Sequence, residues 1–90
     1  MKIEIPAALR RYAGGAAVVE APGRTVADGL AVLTERYPEL RKNIFTDDGR
    51  LRQFVNVYLN DEDLRYLPAK EQSAAKESDV VTILPSIAGG

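Results

Sequence analysis

The 90-residue chain contains neither cysteine nor histidine. Without cysteine it can form no disulfide bond and no thiolate metal site, and it has no thiol nucleophile. Without histidine it lacks the commonest general acid/base and the commonest metal ligand. Catalysis would have to rest on Asp, Glu, Lys, Tyr or the backbone, and we expect no catalytic residue and no metal site in this chain.

Long apolar runs and an excess of either charge are also absent. Residues 1–6 provide no apolar stretch for a secretory signal or a membrane span. Twelve basic residues nearly balance thirteen acidic ones, and the net charge of −1 creates no overall field that attracts nucleic acid or anionic lipid. These features predict a cytoplasmic protein that binds neither nucleic acid nor membranes.

The length allows one domain with a thin core, because a chain this short buries only about 60–65% of its unfolded surface. Within it, residues 2–5 and 17–20 have the pattern of short strands, which we expect to form a hairpin. Thr25 and Asp28 are typical of a helix start, and Pro38 of its end. The apolar stripe of this helix contains Val26, Leu30, Leu33 and Tyr37. One more short helical turn is expected over residues 38–43.

The second half of the sequence is predicted to add three strands. Residues 54–59 give the strongest β pattern, residues 64–67 follow a polar turn as a short strand, and residues 80–84 form the last strand. This order predicts an α+β fold of the β-grasp (ubiquitin-like) type, with a mixed sheet of about five strands around one main helix. The first and last strands should lie parallel in the middle of the sheet. We expect the β-grasp domain to cover residues 1–84.

Residues 85–90 are predicted to form an extended, flexible tail that ends in Gly-Gly. Six residues from Pro85 can span up to about 20 Å, enough to enter the active-site channel of a partner. Gly89, with Ala88 and Ile87, would thread this channel, because a backbone without Cβ atoms passes where bulk is excluded. A terminal Gly-Gly by itself is explained equally well by a frayed chain end.

The carboxylate of Gly90 is the candidate reactive group. A carboxylate must be activated, commonly as an acyl adenylate made with ATP, before sulfur or an amine attacks its carbonyl. The phosphate-binding pattern G-x-x-x-x-G-K-[ST] is absent from the chain, so a separate ATP-using enzyme is expected to activate Gly90. The chain is then a carrier rather than an enzyme, and it binds no cofactor itself.

Four residues near the tail are candidates for docking a partner. Phe54, Tyr58 and Leu84 could lie outside the core and form an apolar patch, and Arg65 could meet an acidic surface. The carboxylates of residues 61–63 are interpreted as a solvent-exposed turn rather than a metal or acid/base site.

The segments 53–65 and 81–90, together with Ile5-Pro6 and Leu9-Arg10, resemble the ubiquitin-like sulfur carriers of the MoaD/ThiS type. The resemblance extends over the whole chain in outline and is strongest to the cysteine-biosynthesis branch of this family. It implies that an adenylating enzyme of the MoeB/ThiF type, related to ubiquitin activators, uses ATP at Gly90. Sulfur then replaces AMP and leaves a thiocarboxylate.

In the cysteine-biosynthesis branch, the resemblance further implies two other partners. The sulfur passes to an acceptor made from O-phosphoserine on a pyridoxal-phosphate cysteine synthase, and a metallopeptidase later frees the cysteine. Four alternatives stay open: the small subunit of molybdopterin synthase, another cofactor or natural-product sulfur carrier, a ubiquitin-like modifier that joins Gly90 to lysines, and a plain binding module.

Overall fold

The computed structural model describes residues 1–85. The strands are β1 (Lys2–Glu4), β2 (Val18–Glu20), β3 (Val55–Leu59), β4 (Glu62–Asp63) and β5 (Val80–Pro85). The helices are α1 (Val26–Arg36) and α2 (Pro38–Ile44), with 3₁₀ helices at Ala7–Ala13, Leu64–Tyr66 and Lys70–Gln72. The predictions made for Ile87, Ala88, Gly89 and Gly90 concern residues outside the described range.

The five strands form one mixed sheet in the order β2-β1-β5-β3-β4. β1 pairs antiparallel with β2 and parallel with β5, and β3 pairs antiparallel with both β5 and β4. The predicted β-grasp architecture, the β1–β2 hairpin and the parallel pairing of the first and last strands are confirmed. The last strand is therefore held by a neighbour on each side.

Helix α1 begins at a capping box. The Oγ1 atom of Thr25 accepts a hydrogen bond from the Asp28 N–H at 3.1 Å, and the Asp28 carboxylate accepts one from the Thr25 N–H at 3.2 Å. The Arg24 N–H also donates to that carboxylate, at 3.0 Å. These bonds, led by the one from Arg24, hold the pKa of Asp28 below its ordinary value.

The core lies between α1 and the inner face of the sheet. Ile3, Val57, Val81 and Ile83 on the strands, and Val26, Leu30 and Leu33 on α1, are all almost completely buried. Alternate residues of a strand point to opposite faces, so this inner set leaves the residues between them on the outer face. The predicted stripe of α1 is thus the surface that attaches the helix to the sheet.

Two details differ from the sequence-based expectation. The helical segment that begins at Pro38 has seven residues and ends at Ile44, one residue beyond the predicted turn, and both Leu40 and Ile44 are fully buried. The short strand is Glu62–Asp63, and the predicted strand 64–67 begins instead with a 3₁₀ helix. Asn60 adopts a left-handed conformation (φ 56°) that reverses the chain directly after β3, so pairing starts earlier than predicted.

Candidate functional site

The exit point of the tail is fixed by the central strand. β5 pairs with β3 over five residue pairs, from Leu59 opposite Val81 to Val55 opposite Pro85. Pro85 is thus the last residue of the strand, one residue beyond the predicted end. From here to Gly90 the extended chain could span at most about 16–18 Å. The sheet therefore determines where a partner must stand to reach the carboxylate.

The start of β5 is anchored to the turn after β3. The Val80 N–H donates to Asn60 Oδ1 at 3.1 Å, and Asn60 Nδ2 donates to Asp79 Oδ1 at 3.3 Å. The Lys76 N–H donates to Asp79 Oδ2 at 2.8 Å. The bond from Lys76, and then that from Asn60, lower the pKa of Asp79. The strand that leads to the tail is held at its first residue as well as along its length.

The outer face of the sheet carries exposed apolar side chains close to this exit. Leu84 is 46% exposed and lies opposite Asn56, and half-buried Tyr58 lies opposite Thr82. Phe54, which directly precedes β3, is 51% exposed. Three of the predicted docking candidates therefore lie close to the end of β5, on or beside one surface.

Arg65, the fourth docking candidate, has contacts that the sequence did not reveal. It is exposed, and its Nη2 atom donates to the carbonyl oxygens of Gln53 at 2.8 Å and Val55 at 3.1 Å. It thereby binds the chain at the start of β3, opposite the end of β5. Arg65 has a positioning role in addition to any contact with a partner.

Val18 is an exposed apolar residue that the sequence analysis missed. It is 50% exposed and pairs with Glu4 of β1. Its strand, β2, is the edge strand at the opposite end of the sheet from β3 and β4. Glu4 in turn accepts a hydrogen bond from Thr82 Oγ1 at 2.9 Å. Because neighbouring strand residues point to opposite faces, the burial of Val19 implies the exposure of Val18, but the sequence alone does not show which of the two is buried.

The acidic segment 61–63 is divided between two local structures. Glu62, in β4, pairs with Leu59 of β3. Asp63 Oδ1 accepts a hydrogen bond from the Arg65 N–H at 2.9 Å and so caps the 3₁₀ helix that follows. Within residues 1–85, no three Asp or Glu side chains lie close enough together to hold a metal ion. No helix in this range is long and apolar enough to cross a membrane.

Comparison with known proteins identifies close similarity over the full chain. The model of the ThiS family matches residues 3–90. The sulfur carrier protein CysO of Mycobacterium tuberculosis is 37% identical over 90 residues, covering 98% of this chain and 96% of that protein.

Solved structures show the same relationship. CysO in the Amycolatopsis orientalis BexX/CysO complex has 36% identity and a TM-score of 0.86, covering 99% of this chain and 98% of its own. Small archaeal modifier protein 1 of Methanosarcina acetivorans has 32% identity and a TM-score of 0.85, and the match covers 99% of this chain and 94% of that protein.

Proposed function

Because the chain belongs to the ThiS family, we propose that it is a sulfur carrier of the CysO type that bears its sulfur on the C-terminal carboxylate of Gly90. The observation that carries this proposal is the 37% identity to CysO over 98% of the chain, together with the ThiS-family match, which runs to residue 90. The fold supports it, because β5 leads from the centre of the sheet directly to the tail.

The proposed chemistry takes place at one carbonyl carbon. An oxygen of the Gly90 carboxylate attacks the α-phosphorus of ATP, and pyrophosphate leaves. Sulfide (HS⁻) then attacks the carbonyl of the acyl adenylate, AMP leaves with the electron pair of the broken C–O bond, and a thiocarboxylate remains. A partner enzyme of the MoeB/ThiF type provides the ATP site, and this chain contributes the tail and the surface that the partner binds.

The outer face around Leu84 and Phe54 is the proposed docking surface for that partner. Both side chains are about half exposed and lie next to the strand end from which the tail leaves. One CysO relative was crystallised as a complex with BexX, which supports partner binding as a property of this chain as well. Arg65 contributes at the edge of this surface by holding the start of β3.

Cysteine formation is the proposed destination of the sulfur. The similarity to CysO supports it, and the acceptor would sit on a pyridoxal-phosphate cysteine synthase, with a metallopeptidase acting afterwards. Incubation of the loaded chain with O-phosphoserine and this synthase should transfer the sulfur. Failure here, with normal loading, would reject the destination and leave the carrier function standing.

The test of the carrier function is intact-mass spectrometry after reaction with the adenylating enzyme, ATP and a sulfur donor. We expect a mass gain equal to the replacement of one oxygen atom by sulfur. A matched variant that lacks Gly90 should show no gain. Lack of the gain in the unaltered chain, with an adenylating enzyme shown to activate another carrier, would contradict the proposal.

Protein modification is a second candidate function, favoured by one observation. Small archaeal modifier protein 1 of Haloferax volcanii is 33% identical over 66 residues, covering 73% of this chain and 70% of that protein. A modifier would join Gly90 to lysines of other proteins by isopeptide bonds. Gly90-dependent ladders that resist thiols and hydroxylamine, without a thiocarboxylate, would favour this function over sulfur transfer.

A further inference from the structure

A concave surface lies on the helix side of the sheet, away from the outer face. It is a groove of about 710 Å³ between α1, the loop after α2 and the 3₁₀ helix Lys70–Gln72. Its apolar lining includes the small residues Ala27 and Ala31 of α1 and the half-buried Phe45 and Leu51. We name this surface the arginine groove, after the four arginines that line it: Arg41, Arg50, Arg52 and Arg65.

The charge of the arginine groove differs sharply from that of the whole chain. Four arginines and one carboxylate, that of Glu71, line it, whereas the chain has a net charge of −1. Within residues 1–85 the one ion pair is between Arg50 and Asp48, at 3.6 Å. Arg41, Arg52 and Arg65 thus have no carboxylate within 4.0 Å in the described part of the chain.

Two of these guanidinium groups are already oriented. Arg52 Nε donates to the carbonyl oxygen of Lys42 at 2.7 Å, in the last turn of α2. Arg65 Nη2 is used by the carbonyls of Gln53 and Val55. The remaining N–H donors of each guanidinium stay available, and prior orientation lowers the entropy that binding costs.

We propose that the arginine groove binds an acidic peptide segment of a partner protein. Charge complementarity selects carboxylates, since the planar guanidinium binds them through two parallel hydrogen bonds. The apolar part of the lining favours an aliphatic or aromatic side chain between the carboxylates.

The position of the groove allows it to act together with the tail. Arg65 contacts Val55, and Val55 lies opposite Pro85, where β5 ends. At Pro85, the arginine groove lies on the helix side of the sheet and the outer face lies on the opposite side. A partner that holds the tail can therefore reach both surfaces. This inference does not require the sulfur chemistry proposed for Gly90.

The test uses ¹⁵N-labelled full-length chain and a blocked peptide of sequence Asp-Glu-Leu-Glu-Asp, with Asn-Gln-Leu-Gln-Asn as neutral control. We expect salt-sensitive shifts of the amides of Ala27, Ala31 and Leu51 with the acidic peptide and none with the neutral one. Shifts scattered over all basic surfaces, or equal shifts with both peptides, would overturn the proposal. So would inorganic phosphate shifting the same amides at equal concentration.

Two pairs of charge-matched variants sharpen the test. Arg41→Gln with Arg52→Gln should weaken peptide binding about threefold to tenfold, as expected for two partly exposed ion pairs. Arg11→Gln with Arg36→Gln removes equal charge elsewhere and should leave binding within about twofold. If both pairs of variants lose peptide affinity equally, the effect depends only on net charge, and the proposed binding at the arginine groove is wrong.

Two further measurements test whether the loss of binding comes from a folding defect and whether the chain's own tail occupies the groove. Arg41→Lys with Arg52→Lys keeps the charge but not the planar fork, and it should weaken binding while the other amide positions stay unchanged. Removal of residues 86–90 should leave the groove amides unshifted. If it shifts them and strengthens peptide binding, the occupant is the chain's own tail, and the partner proposal is wrong.

Discussion

Replacing Phe54 and Leu84 by serine should weaken docking without touching the reactive end. Both side chains are about half exposed, at 51% and 46%. Full burial of such a side chain contributes about 1.5–3 kcal/mol, so burying the exposed half of each contributes about 0.7–1.5 kcal/mol. Together they should contribute about 1.5–3 kcal/mol to binding, which corresponds to about 10- to 150-fold in affinity.

The assay is the rate of ATP-dependent activation by the adenylating enzyme as the concentration of the carrier is varied. The double variant should raise KM by the factor above and leave kcat close to that of the unaltered chain, because residues 85–90 are intact. Circular dichroism should confirm that the variant is folded at the assay temperature.

Val18→Ser is the matched control for this prediction. Val18 is 50% exposed, and β2 is separated from β5 by β1, a lateral distance of about 10 Å. This control should leave KM within about twofold, because its side chain lies away from the tail exit. An unchanged KM in the double variant, or an equal rise with Val18→Ser, would refute docking through the Phe54–Leu84 surface.

Three further predictions concern stability. Gly29→Ala places a Cβ against Met1 Sδ and 2.8 Å from Met1 Cε, so the end of the buried Met1 side chain must shift. Overpacking of about 1–3 kcal/mol, offset by about 1 kcal/mol of helix propensity, should lower the free energy of unfolding in urea by at most about 2 kcal/mol; a clear gain would show that Met1 moves aside without cost. The pKa values of Asp28 and Asp79 are lowered in the folded protein, so the stability they contribute is present above the unfolded pKa of about 3.9 and is lost as pH falls through the folded pKa. Replacing both by Asn should therefore flatten the decline in Tm below about pH 4. An unchanged decline would show that these two carboxylates do not cause it. Arg65→Ala should lower the free energy of unfolding by about 1 kcal/mol through the lost bonds at the start of β3, whereas a docking role alone would leave stability unchanged.

The sequence predicted those parts of the fold that depend on local patterns. The Thr25–Asp28 cap, the apolar stripe of α1 and the alternation in β3 are all signals within a few residues, and all three appear in the structure. The bounds of β4 could not be predicted in this way, because they depend on the left-handed turn at Asn60 and on pairing with β3.

The candidate site was only partly accessible from the sequence, for the same reason. The Gly-Gly end and the exposed positions Phe54 and Leu84 follow from motif and pattern. The bonds of Arg65 to the start of β3 join residues ten and twelve positions apart and leave no trace in local composition. The arginine groove combines residues of α1, α2, the loop after α2 and the 3₁₀ helices Leu64–Tyr66 and Lys70–Gln72, so tertiary structure alone brings its charges together.

The central position of β5 also has a mechanical consequence. A partner enzyme that pulls on the chain beyond Pro85 loads β5 along its own axis, between β1 on one side and β3 on the other. Under such a shearing load the hydrogen bonds to both neighbours resist together, whereas an edge strand would peel away one bond at a time. Pairing on both sides therefore makes β5 more resistant to a pull from its C-terminal end than an edge strand of the same length would be.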